Sequence, residues 1–305
     1  MNPDRAFIRF TYAVLYTIFI VIFAGSVVRT THSGMGCPDW PHCFGRLIPP
    51  LNAGQLPPDY EKYLSRQDID HTFNAFHTWI EYLNRLLTGI LGILIVILII
   101  WSFKKYFKTR KTIFYWSLSL MLLVAFEAWV GKVVVASNLD VVKITVHMFP
   151  AILIAAVCVF IIFLLEKKEK IKDKKFKWLL VLSLVCLIVQ MLLGTEVRAE
   201  VDIISKSLNF AHRENWLKSV SNYLQAHELF AWLVALACIA AAGRSFNHTA
   251  LQRRGLIILL LVIAEILLGL IMTQLKMPAF AQPLHLLFSS MLIVYVFAQW
   301  LRVKR

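Results

Sequence analysis

The sequence predicts an all-α integral membrane protein whose eight transmembrane helices form two parallel-repeat four-helix bundles. Three observations carry that prediction. The first is composition: of 305 residues 59% are hydrophobic and 16% charged, with mean hydropathy +0.67, which is far more apolar than an ordinary soluble domain. A soluble globular enzyme is excluded. Disordered and collagen-like chains are excluded too, because 12 Gly and 10 Pro are ordinary numbers and the apolar residues fall in long runs. The second observation is eight such runs, each near the roughly 20 residues needed to cross a bilayer. The third is self-similarity between the two halves.

In chain order, the first span covers about 9–28, follows Arg5 and Arg9, and ends in Gly25-Ser-Val-Val-Arg29. Its apolar stretch is longer than a signal-peptide core, so it reads as retained. A loop over 30–76 follows, with Pro49-Pro50 and Pro57-Pro58, long enough to cap the outer end of a bundle. Spans two, three and four cover about 77–102, 112–136 and 142–165. Span five covers about 177–195, and residues 201–221 read as either a short amphipathic helix at the interface or a linker. Spans six, seven and eight cover about 222–243, 255–275 and 280–301. Charge orients them. Twenty of the 32 basic residues fall before span one, in the connections after spans two, four and six, and at the C-terminus, all on one side of an eight-span chain. That side is cytoplasmic by the positive-inside rule, with both termini in the cytoplasm. The net charge of +14 is thereby accounted for without nucleic acid.

An offset of 138 aligns Ala-Phe-Glu127-Ala-Trp-Val-Gly131 with Ile-Ala-Glu265-Ile-Leu-Leu-Gly269 and places His147 on His285. The Gly25 to Arg29 end of span one is matched by Gly194-Thr-Glu-Val-Arg198 at the end of span five. The repeat unit is therefore four helices, and an even number gives both copies one orientation. Residues 1–170 form one expected bundle and 171–305 the other.

Of 18 acidic residues only Glu81, Glu127, Glu228 and Glu265 fall inside or at the edge of a span. Each such group costs roughly 2.5–3.5 kcal/mol on insertion scales, so each needs a reason. Glu81 has Arg85 one turn on, and an ion pair is its bland explanation; for Glu127 and Glu265 it is hydrogen bonding between helices. Five histidines, His32, His42, His71, His212 and His248, read as loop residues. His77, His147, His227 and His285 stand near the starts of spans two, four, six and eight. Counted from the first cytoplasmic charge, His147, His227 and His285 lie at similar depth, and on span two that depth is occupied by Asn84. A lone histidine in a span is usually a hydrogen-bonded core residue. Two at one depth on the second and fourth helices of one bundle, His227 and His285, are placed to ligate a haem iron from both faces. The first bundle offers His147 opposite Asn84.

Cys158, Cys186 and Cys238 are isolated in spans and read as small core residues. Cys37 and Cys43 lie in Ser33-Gly-Met-Gly-Cys37-Pro-Asp-Trp-Pro-His-Cys43-Phe-Gly-Arg46 on the outer side. A structural disulfide, a redox-active pair, and a metal site recruiting His42 are all compatible with that spacing.

Taken together, these residues resemble the heme A synthase family of cytochrome oxidase assembly proteins. The similarity rests on Gly25 through Cys37, Trp40-Pro, Cys43-x-Gly-Arg46, Glu81-Tyr-Leu-Asn84-Arg85, and His147, His227 and His285. The resemblance implies oxidation of a ring methyl of haem O to the formyl group of haem A through a hydroxymethyl stage, with oxygen from water. It implies a resident b-type haem on His227 and His285, substrate haem on His147, Glu81 as catalytic carboxylate, and Cys37 and Cys43 as the outer-loop pair. The family pattern Glu-Tyr-x-His-Arg has Asn84 in place of its histidine here. Either the substrate iron is five-coordinate beside Asn84, or His77 reaches it from two turns outward. Expected partners are haem O synthase, an electron acceptor such as a quinone or redox protein, and in one arrangement a second copy of the chain, all in the cytoplasmic membrane. Two other readings compete: a non-catalytic bis-His cytochrome b, and a transporter using Glu81, Glu127 and Glu265 as proton carriers.

Overall fold

The computed structural model describes residues 4–64, 72–136, 141–166 and 170–304. His71, read above as a loop residue, lies outside them, as do the basic residues Lys167, Lys168 and Arg305. Among the described residues eight helices are long and apolar enough to cross a membrane. They are α1 (Arg5–Thr30), α2 (Ala75–Tyr106), α3 (Lys111–Ala136), α4 (Val141–Leu165), α5 (Lys174–Ser207), α6 (Asn222–Ser245), α7 (Gln252–Gln274) and α8 (Ala281–Leu301). The protein is a multi-pass, all-α membrane protein; the one sheet among the described residues is a parallel pair of two-residue strands, β1 (Ile171–Lys172) and β2 (Val303–Lys304).

Seven of the eight helices match the expected spans to within a few residues. Helix α5 does not stop near residue 195 but continues to Ser207, so no separate interfacial helix begins at 201. Its added turns contain no breaker and gain the i,i+4 pair of Arg198 and Asp202, 2.9 Å apart, while Val201 and Ser205 are buried. The helix ends where Asn209 and Phe210 take up left-handed backbone, at φ 50° and 57°. Only a single turn, Arg213–Trp216, precedes α6.

The chain divides into two compact units, Met1–Cys158 and Val159–Arg305, the division falling inside α4. In the first unit α2 packs against both α1 and α3. Buried Leu91, Ile95, Leu98 and Ser102 recur at the helical period and form the stripe α2 turns inward. At that end Phe7 lies edge-on to Trp101 and Tyr106, and the buried Asp4 carboxylate accepts from Tyr106 Oη at 2.8 Å and Arg110 Nη1 at 3.0 Å. In the second unit α5 packs on α6, α6 on α7, α7 on α8 and α8 on α5, closing a four-helix ring. Small buried residues of α6, namely Ala235, Ala237, Cys238, Ala241 and Ala242, allow close approach of neighbouring helices.

Candidate functional site

Start with the loop. Asn74 caps α2 by accepting from the Phe76 and His77 amides at 3.1 and 3.2 Å, and this fixes the helix end on which the loop sits. Gly36 rests against that end so closely that a Cβ would stand 2.3 Å from the His77 carbonyl, and its own carbonyl accepts from Thr78 Oγ1 at 2.9 Å. Cys37 and Cys43 are bonded to each other and buried with Phe44 beneath Leu56, Tyr63, Phe73 and Tyr82. Sulfurs joined in a disulfide are not thiolate ligands, and among the described residues no three His, Cys, Asp or Glu side chains converge on a point where a metal ion could sit.

Glu81 is buried beneath this loop. One carboxylate oxygen accepts from the Cys37 amide at 2.9 Å and the other from Arg85 Nη2. Arg85 also donates to the carbonyls of Cys37 at 2.8 Å, Asp39 at 2.6 Å and His42 at 3.0 Å. The pair expected from the i,i+4 spacing is therefore present, and it staples the disulfide loop to α2. One turn on, the Asn84 Oδ1 is buried with no hydrogen-bond partner among the described residues, 3.9 Å from where a Cβ on Gly25 would lie.

The second unit contains the histidine pair. Ser221 caps α6, accepting from the Tyr223 amide at 3.4 Å, and His227 follows in the second turn. Its ring lies 6.5 Å from that of His285 on α8, centroid to centroid, with the planes 74° apart. A metal bound at about 2 Å by one nitrogen of each ring would separate the centroids by roughly 6 Å, so the spacing fits one iron between them. Gly194 on α5 makes room: a Cβ there would stand 3.0 Å from His227 Cε1. Gln190 Nε2 sits 3.3 Å from His227 Nε2 and donates to the His227 carbonyl at 3.0 Å, so a ligand entering at Nε2 displaces this amide from the ring.

In the first unit Gly131 on α3 faces His147 in the same way, with a Cβ position 3.3 Å from Cε1. Pro150, three residues on, interrupts the backbone ladder of α4 beside it. The structure thus groups Glu81 with Cys37, Cys43 and Arg85, sets His227 beside His285, and places Asn84 near Gly25 as His227 stands near Gly194. It also shows contacts that sequence reasoning missed. Glu127 lies 3.3 Å from His147 Nδ1 and Glu265 lies 3.2 Å from His285 Nδ1. The 138-residue offset was the available signal, since it carries each glutamate and its histidine together.

A family model described as "Cytochrome oxidase assembly protein" matches residues 8–297. A heme A synthase of Bartonella tribocorum is 24% identical over 96% of this chain and 91% of its own length. That of Shewanella oneidensis is 23% identical over 85% of each. That of Alkalihalophilus pseudofirmus is 30% identical over 51% of this chain and 46% of its own length.

Proposed function

This chain belongs to the heme A synthase family of cytochrome oxidase assembly proteins, and from that premise we propose that it oxidises a ring methyl of haem O to the formyl group of haem A. The observation that carries the haem assignment is the His227–His285 pair, spaced for one iron within the four-helix ring of the second unit. A resident b-type haem held there supplies one-electron redox chemistry. His147, with Gly131 opening space at its ring, holds the substrate iron in the first unit, and Asn84 is the polar neighbour that takes the place of a second histidine. The two units then act as repeats, one for substrate and one for the resident cofactor.

Within this reading the chain's own groups divide the work. Glu81 supports the electron-poor carbon left when hydride equivalents depart from the methyl, and it acts as base on the water that adds to it. That role requires its carboxylate to let go of the Cys37 amide or of Arg85 during turnover, so the disulfide loop and the acid move together. The electrons pass to a quinone or redox protein, and haem O arrives from haem O synthase. Both termini and the basic connections lie in the cytoplasm, with the Cys37–Cys43 loop outside.

The test is spectroscopic. His227→Ala or His285→Ala removes one axial ligand, so the low-spin bis-His signal of the purified protein should give way to a five-coordinate, high-spin one. Two single variants with an unchanged low-spin signal would refute the assignment. A non-catalytic cytochrome b makes the same spectral prediction and is separated from this reading by its lack of haem A product.

A further inference from the structure

Apart from the exposed Glu228, Glu127 and Glu265 are the acidic residues singled out in the spans for which the proposed chemistry has no use. Each is drawn to one histidine. Glu127 Oε1 on α3 lies 3.3 Å from His147 Nδ1 on α4, and Glu265 Oε2 on α7 lies 3.2 Å from His285 Nδ1 on α8. The remaining oxygens, Glu127 Oε2 and Glu265 Oε1, are buried without a hydrogen-bond partner among the described residues. Neither carboxylate has a lysine or arginine at ion-pair distance among those residues, so charge neutralisation does not explain why the insertion cost of either is tolerated. His227 is different: its ring nitrogen Nε2 meets the neutral amide of Gln190.

We propose that Glu127 and Glu265 are positioning residues for haem ligation, each accepting the Nδ1–H of its histidine so that Nε2 is presented to the iron. A histidine ligand is held in one tautomer and one ring orientation by the acceptor at its other nitrogen, and an anionic acceptor makes the imidazole a stronger donor. At 3.3 and 3.2 Å the two pairs are within reach, but neither the His147 nor the His285 Nδ1 meets hydrogen-bond geometry as placed, and a turn of the imidazole ring is what brings the N–H into line. The inference rests on His147 and His285 being axial ligands. It adds that the resident haem has one ligand tuned by charge, His285, and one, His227, whose Nδ1 has no carboxylate at ion-pair distance among the described residues. A merely structural bond between neighbouring helices accounts for the same distances but leaves the iron's electronic state untouched.

The reduction potential of haem bound to the purified full-length protein separates these. Glu265→Gln keeps an acceptor of the same shape and removes the charge. The low-spin spectrum should persist while the ferric form loses about tenfold in stability relative to the ferrous, an upward shift of 59 mV for a one-electron couple. Glu265→Asp, which keeps the charge but withdraws it, should shift the potential less, and it serves as the measured variant if Glu265→Gln does not fold. Glu228→Gln, at an exposed acid beside His227, should leave the potential where it is. An unchanged potential in the Glu265 variants, or an equal shift from Glu228→Gln, overturns the proposal. A wild-type protein that binds no low-spin haem overturns instead the ligand assignment on which it rests.

Discussion

Glu81 shows how far a single residue could be read in advance. Its spacing to Arg85 made the ion pair legible, since residues four apart share a helix face. The Cys37 amide that occupies its other oxygen was not legible, because that bond joins positions 44 apart through a loop with no periodic pattern. Both oxygens being engaged gives the structural role a concrete form, and it sharpens the experiment. With Glu81→Gln the side chain can still accept from the Cys37 amide. If the acid works on the oxidised carbon, haem O still binds and product stops at haem O or the hydroxymethyl stage, a loss of at least about 100-fold, as for a general base. If it only holds the loop, folded yield falls and haem A per folded molecule stays normal. Haem extraction and quantification per mole of folded protein distinguishes the two outcomes. Asn84 reads in the sequence as lying at the depth of His147, His227 and His285, and each of Asn84 and His227 has a glycine beside it, Gly25 and Gly194 respectively.

At the scale of elements, the helices were legible because apolar runs and basic connections set their lengths, and the end of α5 was not, because its last turns are amphipathic rather than apolar. Its start is held by Asp173, which accepts from the Phe176 amide at 2.9 Å, Arg244 Nε at 2.8 Å and His248 Nε2 at 2.8 Å, tying α5 to the end of α6. Burial alone would raise the Asp173 pKa, but the Phe176, His248 and Arg244 bonds outweigh it and pull it from 3.8 to about 2. A depressed acid stabilises the fold above its unfolded pKa, so this contribution is whole above about pH 4 and fades as pH falls toward 2. Asp173→Ala should lower stability by about 1–2 kcal/mol, the usual cost of a lost cap, and flatten the decline in that acid window. Thermal unfolding in detergent across pH 2–7 checks both.

The whole molecule is where charge and repeat speak. The same charge bias that oriented the spans makes sidedness testable, but the native cysteines are poor probes, since Cys37 and Cys43 are buried and bonded to each other. Leu47, in the same loop and 74% exposed, is better. Leu47→Cys should react with a membrane-impermeant maleimide in intact cells, and reaction only after lysis would reverse the topology. In the sequence, Glu, Gly and His recur at one offset of 138. What that recurrence does, pairing each glutamate with its histidine across neighbouring helices, required coordinates. The most direct test of the central claim is the product itself: the chain co-expressed with haem O synthase in cells that lack their own heme A synthase, followed by chromatographic separation of extracted haems. Haem A should accumulate with the wild-type chain and disappear with His147→Ala. Haem O alone, from a wild-type chain that is folded and haem-bound, would contradict the account.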